Sequence, residues 1–120
     1  MKINILEKEG TQIAEVIADD IIMSTVEEGL QIVVDVYYQD CDKVILHEKN
    51  ISPSFFDLKT GLAGEILQKY SNYKMRLAIV GDFEKYSGGS LRDFIRESNR
   101  GQRINFLSDV SLAIEKLSED

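Results

Sequence analysis

The first candidates for a catalytic or ligand-binding site are His47, Glu48 and Asp82, which lie where two buried strands are predicted to end. Ligands of parallel α/β sheets usually bind beyond the carboxyl ends of the strands, so these side chains could border a pocket. A histidine beside carboxylates could act there as a general base. Helix capping and exposure to solvent explain the same residues, and we assign no catalytic residue.

A glycine-containing segment follows closely behind Asp82. Its backbone amides precede a predicted helix and could bind an anion. Three basic residues lie nearby: Lys85, Arg92 and Arg96. The segment lacks the spacing of known nucleotide-binding loops, and a flexible loop before a helix cap also explains it. An alternative function is therefore a small-ligand-binding or catalytic domain with these site residues: His47, Glu48, Asp82, Ser87, Gly88 and Gly89.

Three hydroxyl groups lie around the start of a predicted long helix. Ser52 precedes Pro53, an arrangement that suits an N-cap followed by the first helical turn. A phosphate on Ser52 or Ser54 would be stabilised by the helix N-terminus. Thr60 lies about two turns into the predicted helix, where that benefit has faded. On this argument Ser54 is the preferred phosphoacceptor, because Ser52 is committed to capping.

Aromatic residues form a further group that could expose a surface to a protein partner. Its members are Tyr38, Tyr73, Phe83 and Tyr86. Packing at helix ends explains them as well, and the sequence does not separate the two interpretations. The single His47 and the single Cys41 show no metal-ligand spacing, so we expect neither a metal nor another cofactor.

Composition narrows the class of protein. The chain has 120 residues, 43% of them hydrophobic, which predicts one compact domain over residues 1–120. Its net charge of −7 would repel a phosphate backbone, so nucleic acid is not expected as a partner. We find no signal-peptide core and no apolar run long enough to cross a membrane. One cysteine suits a reducing compartment, and we expect a cytoplasmic location without membrane contact.

The hydrophobic pattern predicts the elements that position these groups. Residues 3–6 and 11–17 predict an antiparallel hairpin around a turn with Gly10. Apolar runs at residues 43–48 and 75–81 are joined by a helical pattern, which predicts a parallel βαβ unit. The predicted order is β-β-α-β-α-β-α-β-α. This is an α/β fold whose mixed sheet is opened by an antiparallel hairpin and flanked by about four helices.

The second helix is predicted to run without a break from Ser52 to about Tyr70. Its apolar stripe keeps the helical phase across Gly61, which an intervening loop would disturb. The stripe consists of Phe55, Leu58, Leu62 and Ile66. The other helices are predicted to begin at serine caps: Ser24, Ser90 and Ser108.

The central segment resembles STAS domains, the fold of bacterial anti-sigma-factor antagonists and of sulfate-transporter cytoplasmic tails. Those domains have a strand, then Asp-Ser-Ser-Gly-Leu-Gly, then a helix, where this chain has a strand, FDLKTGLAG and a helix. Residues 90–95 and 103–106 follow the order of that fold's C-terminal third. The run HEKNISPSFFDLKTGLAGEILQKYSNY more closely resembles an uncharacterised bacterial family, the domain of unknown function numbered 4180. The resemblance spans residues 2–118.

The resemblance implies a function as well as a fold. In STAS domains a partner kinase phosphorylates a serine directly after the aspartate, whereas here Leu58 follows Asp57 and the hydroxyl appears at Thr60. Motif alignment therefore points to Thr60, while the helix argument favours Ser54. The leading prediction is a cytoplasmic protein-interaction or regulatory domain, with a protein partner and phospho-regulation, rather than an enzyme. A homodimeric structural domain is the second alternative.

Overall fold

A five-stranded sheet forms the centre of the fold, and its strands lie side by side in chain order. The strands are β1 (Lys2–Lys8), β2 (Thr11–Ile17), β3 (Lys43–His47), β4 (Arg76–Val80) and β5 (Ile104–Leu107). β1 and β2 pair in antiparallel orientation, and every other neighbouring pair is parallel. The predicted α/β fold, a mixed sheet opened by an antiparallel hairpin, is confirmed.

The hairpin between β1 and β2 turns through two residues with positive φ. Glu9 has φ 52° and Gly10 has φ 81°, and the strands on either side pair Lys8 with Thr11. Two left-handed residues give the turn whose twist matches that of paired strands. A glycine at the second position adopts this conformation without a steric penalty.

Five helices surround the sheet in the computed structural model, which describes residues 1–86 and 89–119. They are α1 (Val26–Tyr37), α2 (Pro53–Phe56), α3 (Leu62–Asn72), α4 (Gly89–Arg100) and α5 (Val110–Leu117). None of the helices in these two ranges combines the length and the apolar character needed to cross a bilayer.

The helices are divided unequally between the two faces of the sheet. Right-handed crossovers between successive neighbouring strands place all connecting helices on one side. The larger core cluster accordingly joins one sheet face to α1, α2 and α3, with side chains of α4 at its margin. On the other face α5 packs through Ala113 and Leu117 against Ile45 and Ala78.

The predicted continuous helix from Ser52 to Tyr70 is wrong. α2 ends after four residues, Asp57 is extended with φ −95° and ψ 97°, and a 3₁₀ turn then covers Leu58–Thr60. Gly61 adopts φ 76° before α3 begins. The Asp57 carboxylate accepts a hydrogen bond from Lys59 N at 3.3 Å, a local contact that competes with helical hydrogen bonding.

Two of the predicted helix caps are displaced by one residue. Thr25, not Ser24, caps α1 by accepting a hydrogen bond from Glu28 N at 3.1 Å. Asp109, not Ser108, caps α5 by accepting from Leu112 N at 2.9 Å. The capping chemistry is as predicted, since a short side-chain oxygen satisfies a backbone amide of the first turn.

Side chains of α4 close the outer edge of β5. The Asn99 amide donates to Phe106 O at 3.0 Å and accepts from Phe106 N at 2.7 Å. The Ser98 hydroxyl donates to Ile104 O at 2.6 Å. These backbone groups point away from β4, so α4 supplies the partners that a further strand would supply.

Candidate functional site

The strand-end residues His47 and Glu48 contact different groups. His47 lies on the same sheet face as Ile45, two residues earlier on β3, which is the face that α5 covers. Its Nε2 lies 2.7 Å from Glu15 Oε2 on the neighbouring strand. β3 ends at His47, and a 3₁₀ turn begins at Glu48. The structure therefore pairs His47 with a residue that the sequence analysis did not select.

Glu48 holds the segment that follows β4. Its Oε1 accepts a hydrogen bond from Asp82 N at 3.1 Å, and its Oε2 accepts from the Tyr86 hydroxyl at 2.8 Å. Lys85 Nζ lies 2.8 Å from the same Oε2. Of the three predicted strand-end residues, Glu48 and Asp82 are thus brought together, through the backbone of Asp82 rather than its carboxylate.

Tyr86 and Phe83 belong to an aromatic cluster instead of an exposed aromatic surface. The Tyr86 ring stacks on Phe56 at a centroid distance of 5.6 Å, and Phe83 meets Phe106 edge to face at 5.3 Å. Burial, with the hydrogen bond and negative charge of Glu48, raises the pKa of Tyr86 to about 12. The neutral hydroxyl therefore remains a donor to Glu48 well above neutral pH.

The three candidate phosphoacceptors lie around the break between α2 and α3. The hydroxyls of Ser52 and Ser54 are 2.8 Å apart, and Ser52 caps the short helix α2 by accepting from Ser54 N. Thr60 is exposed, and its hydroxyl lies 2.8 Å from Ser54 O while accepting a hydrogen bond from Leu62 N at 3.2 Å. Thr60 thus stands at the start of α3, where the amides of the first helical turn have no intrahelical acceptor.

An exposed group of apolar and aromatic side chains lies at the carboxyl ends of α1 and α3. We call it the tyrosine surface and define it by Val34, Tyr37, Tyr38 and Tyr73, which are 40%, 39%, 83% and 50% exposed. These residues border a shallow groove of about 320 Å³, to which Leu30 and Val33 also contribute. Of the aromatic residues selected from the sequence, Tyr38 and Tyr73 are therefore surface residues.

Tyr37 connects the two helices that form the tyrosine surface. Its hydroxyl donates to the backbone oxygen of Tyr73. Burial and the negative charge of Asp42 raise the pKa of Tyr37. Sequence reasoning had selected neither Tyr37 nor Asp42. The exposure of Tyr37 depends on how the ends of α1 and α3 pack together, and a local sequence pattern does not predict this packing.

The remaining candidate residues contribute less to a site. Gly89 is the first residue of α4, while Ser87 and Gly88 lie outside the described residues. Cys41 is buried, and burial raises the pKa of its thiol. Across the described ranges, no three His, Cys, Asp or Glu side chains are grouped so that they could hold a metal ion.

The fold and these surfaces define a mixed α/β domain with several open grooves. The chain matches the family described as Domain of unknown function (DUF4180) over residues 8–117, and it belongs to that family. No significant match was found among curated proteins or among solved structures.

Proposed function

We propose that this chain is a cytoplasmic protein-interaction domain, STAS-like in kind, whose tyrosine surface binds a short amphipathic segment of a protein partner. The observation that carries the proposal is the exposed group Val34, Tyr37, Tyr38 and Tyr73 around one groove. Tyrosine is enriched in protein interfaces because its ring gives contact area and its hydroxyl tolerates water. Contiguous exposed apolar groups of this kind mark interaction sites.

The size of the tyrosine surface favours a short segment over a second folded copy. A standard interface between folded proteins takes about 20–30 residues from each side. The tyrosine surface has four exposed side chains around a groove of about 320 Å³. An amphipathic helix presents apolar side chains at intervals of three and four residues, which suits a groove between two helix ends.

Charge favours a basic partner segment. The negative charge of Asp42 acts on Tyr37, and the whole chain carries a net charge of −7. Lysine or arginine beside the apolar side chains of the partner would be attracted to this negative charge. Such charges chiefly increase the rate of association and the selectivity for one partner.

Replacing Tyr38 with serine should markedly weaken the binding of such segments and leave the chain folded. A library of displayed peptides is selected against the chain, and the enriched peptides should share apolar residues at helical spacing with nearby Lys or Arg. Tyr38 is 83% exposed, so its loss should change stability by no more than about 0.5 kcal/mol. Affinity for the selected peptides should fall at least about tenfold, since aromatic anchors carry much of the energy of an interface.

Leu112→Ser is the matched control, because Leu112 is 43% exposed on α5, on the other face of the sheet. It should leave peptide affinity unchanged. Selected peptides that bind Tyr38→Ser as well as the original chain would refute the proposal. So would a dimer in size-exclusion chromatography with light scattering that Tyr38→Ser dissociates, because the occupant would then be a second copy.

A second candidate function is phospho-regulation, and the break at Asp57–Gly61 favours Thr60 as its acceptor. The argument for Ser54 required Thr60 to lie deep inside one helix, whereas Thr60 directly precedes the cap of the 11-residue helix α3. Ser54 lies in α2, which has only four residues. A phosphate on Thr60 would accept hydrogen bonds from the first-turn amides of α3 and gain from its dipole.

Phosphopeptide mapping of the chain isolated from its native cells should therefore find phosphate on Thr60 and not on Ser52 or Ser54. Thr60→Val removes the acceptor and should eliminate the modified peptide, while Thr60→Ser should retain it. The 11 residues of α3 span about 16 Å, and Thr60 and Tyr73 lie at opposite ends of that helix. Thr60→Asp should for that reason leave peptide binding at the tyrosine surface intact. Phosphate on Ser54 alone would contradict this assignment.

A further inference from the structure

A cleft of about 990 Å³ lies between α4 and the carboxyl ends of β4 and β5. It is distinct from the tyrosine surface, because Tyr37 and Tyr38 precede the start of β3 whereas Asp82 follows the end of β4. The two features therefore lie at opposite ends of the parallel strands. In open α/β sheets, ligands bind beyond the carboxyl ends of the strands.

Aromatic side chains give the cleft an apolar floor. Phe83 and Phe106 line it and meet edge to face at 5.3 Å. No residue of α4, which is described in full, is buried, and its apolar side chains are only partly covered where they meet the core. Phe106 is only 3% exposed and its ring is perpendicular to that of Phe83, so the apolar surface open to a small molecule is that of Phe83, with Ile95 of α4 beside it.

Charges of both signs lie around this floor. Arg92 and Arg96 come from successive turns of α4, and Asp82 and Glu84 come from the segment after β4. Arg96 approaches Asp93 at 3.8 Å in an exposed pair, an arrangement that holds the guanidinium weakly. Both arginines are exposed, so they can turn toward a ligand at little cost. Guanidinium groups bind carboxylates through paired hydrogen bonds.

The sides of the cleft are fixed by contacts that do not use these charged groups. Glu48 holds the segment after β4 through Asp82 N and the Tyr86 hydroxyl. Asn99 fastens α4 to both backbone groups of Phe106. The charged side chains therefore project from two anchored elements, which reduces the ordering cost of binding.

We propose that this cleft binds a small zwitterionic molecule with a flat apolar body. Its carboxylate lies against Arg92 and Arg96, its ammonium group faces Asp82 and Glu84, and its ring lies against Phe83. A purely anionic ligand would be repelled by the two carboxylates, and a purely cationic one by the two guanidinium groups. Only a ligand with both charges satisfies both sides of the cleft.

Nuclear magnetic resonance titration of the full chain tests this with three probes of one shape: L-phenylalanine, phenethylamine, which lacks the carboxylate, and phenylpropionate, which lacks the ammonium group. L-phenylalanine should shift the amide signals of Phe83, Arg96 and Phe106 in a saturable manner. The two singly charged probes should bind at least about tenfold more weakly, because each loses a charge-assisted hydrogen bond.

Arg96→Gln should weaken L-phenylalanine binding about tenfold for the same reason. Arg100→Gln is its matched control, because Arg100 lies one turn further along α4 and does not line the cleft. The proposal is overturned by any of three results: no shift of cleft signals up to the solubility limit of L-phenylalanine, equal affinity for a singly charged probe, or equal effects of the two arginine substitutions.

Discussion

Tyr70→Ala is expected to lower the free energy of unfolding by about 3–5 kcal/mol, the usual cost of truncating a buried aromatic side chain. Tyr70 is completely buried on α3 and belongs to the core cluster that joins α1, α3 and the sheet. Its removal leaves a cavity among side chains from several elements, and close-packed interiors relax only partly around such a space. Urea unfolding followed by circular dichroism measures the loss.

Tyr70→Phe separates the ring from the hydroxyl. The hydroxyl lies 4.0 Å from the sulfur of Met23, which is a weak acceptor. Phenylalanine keeps the ring and removes a poorly satisfied polar group, so stability should change by no more than about 1 kcal/mol. A loss from Tyr70→Phe as large as that from Tyr70→Ala would show that the hydroxyl, not packing, carries the contribution.

Gly81→Ala is expected to destabilise the fold by about 1–3 kcal/mol, as overpacking does. A Cβ atom at Gly81 would lie 2.5 Å from both Cβ and Oε1 of Glu48. Rotation of the Glu48 side chain does not move the Cβ atom of Glu48. The clash between that atom and the new Cβ at position 81 can therefore be relieved only by a shift of the backbone. That shift would also strain the hydrogen bonds from Asp82 N and the Tyr86 hydroxyl.

Gly64→Ala provides the matched glycine control for this prediction. A Cβ atom there meets nothing within 4 Å, and Gly64 lies inside α3. Alanine should therefore stabilise the chain by about 0.5–1 kcal/mol, because it loses less backbone entropy in a helix than glycine does. Equal effects of the two substitutions in urea unfolding would contradict the steric role assigned to Gly81.

The strands and the hairpin were predictable because their signals are local. A glycine between two β-rich runs specifies the turn at Gly10, and short apolar runs specify β3 and β4. The break at Asp57–Gly61 was not predictable from periodicity, because Phe55 and Ile66 pack in the same core from separate helices. An apolar stripe reports which side chains are buried, and it does not report whether the backbone between them is continuous.

The surfaces were less predictable than the fold. His47 and Glu48 are neighbours in sequence, yet β3 ends at His47. The His47 side chain contacts Glu15, whereas Glu48 contacts the segment after β4. Tyr38 and Tyr86 are both tyrosines beside helix ends, yet one is exposed and the other stacks on Phe56. These outcomes depend on long-range packing. Composition and spacing therefore select candidate residue types, and they do not assign the neighbours of each side chain.

The two outer strands of the sheet, β5 and β1, differ in whether their outward backbone groups are already hydrogen-bonded. At β5, Asn99 and Ser98 occupy the outward backbone groups of Phe106 and Ile104. At β1, the strand order of the described residues ends with a seven-residue strand that pairs with β2. Of these two strands, β1 is consequently the one whose outward backbone groups a further strand would pair with. Lys2 and Lys8, at the two ends of that strand, oppose uncontrolled growth there.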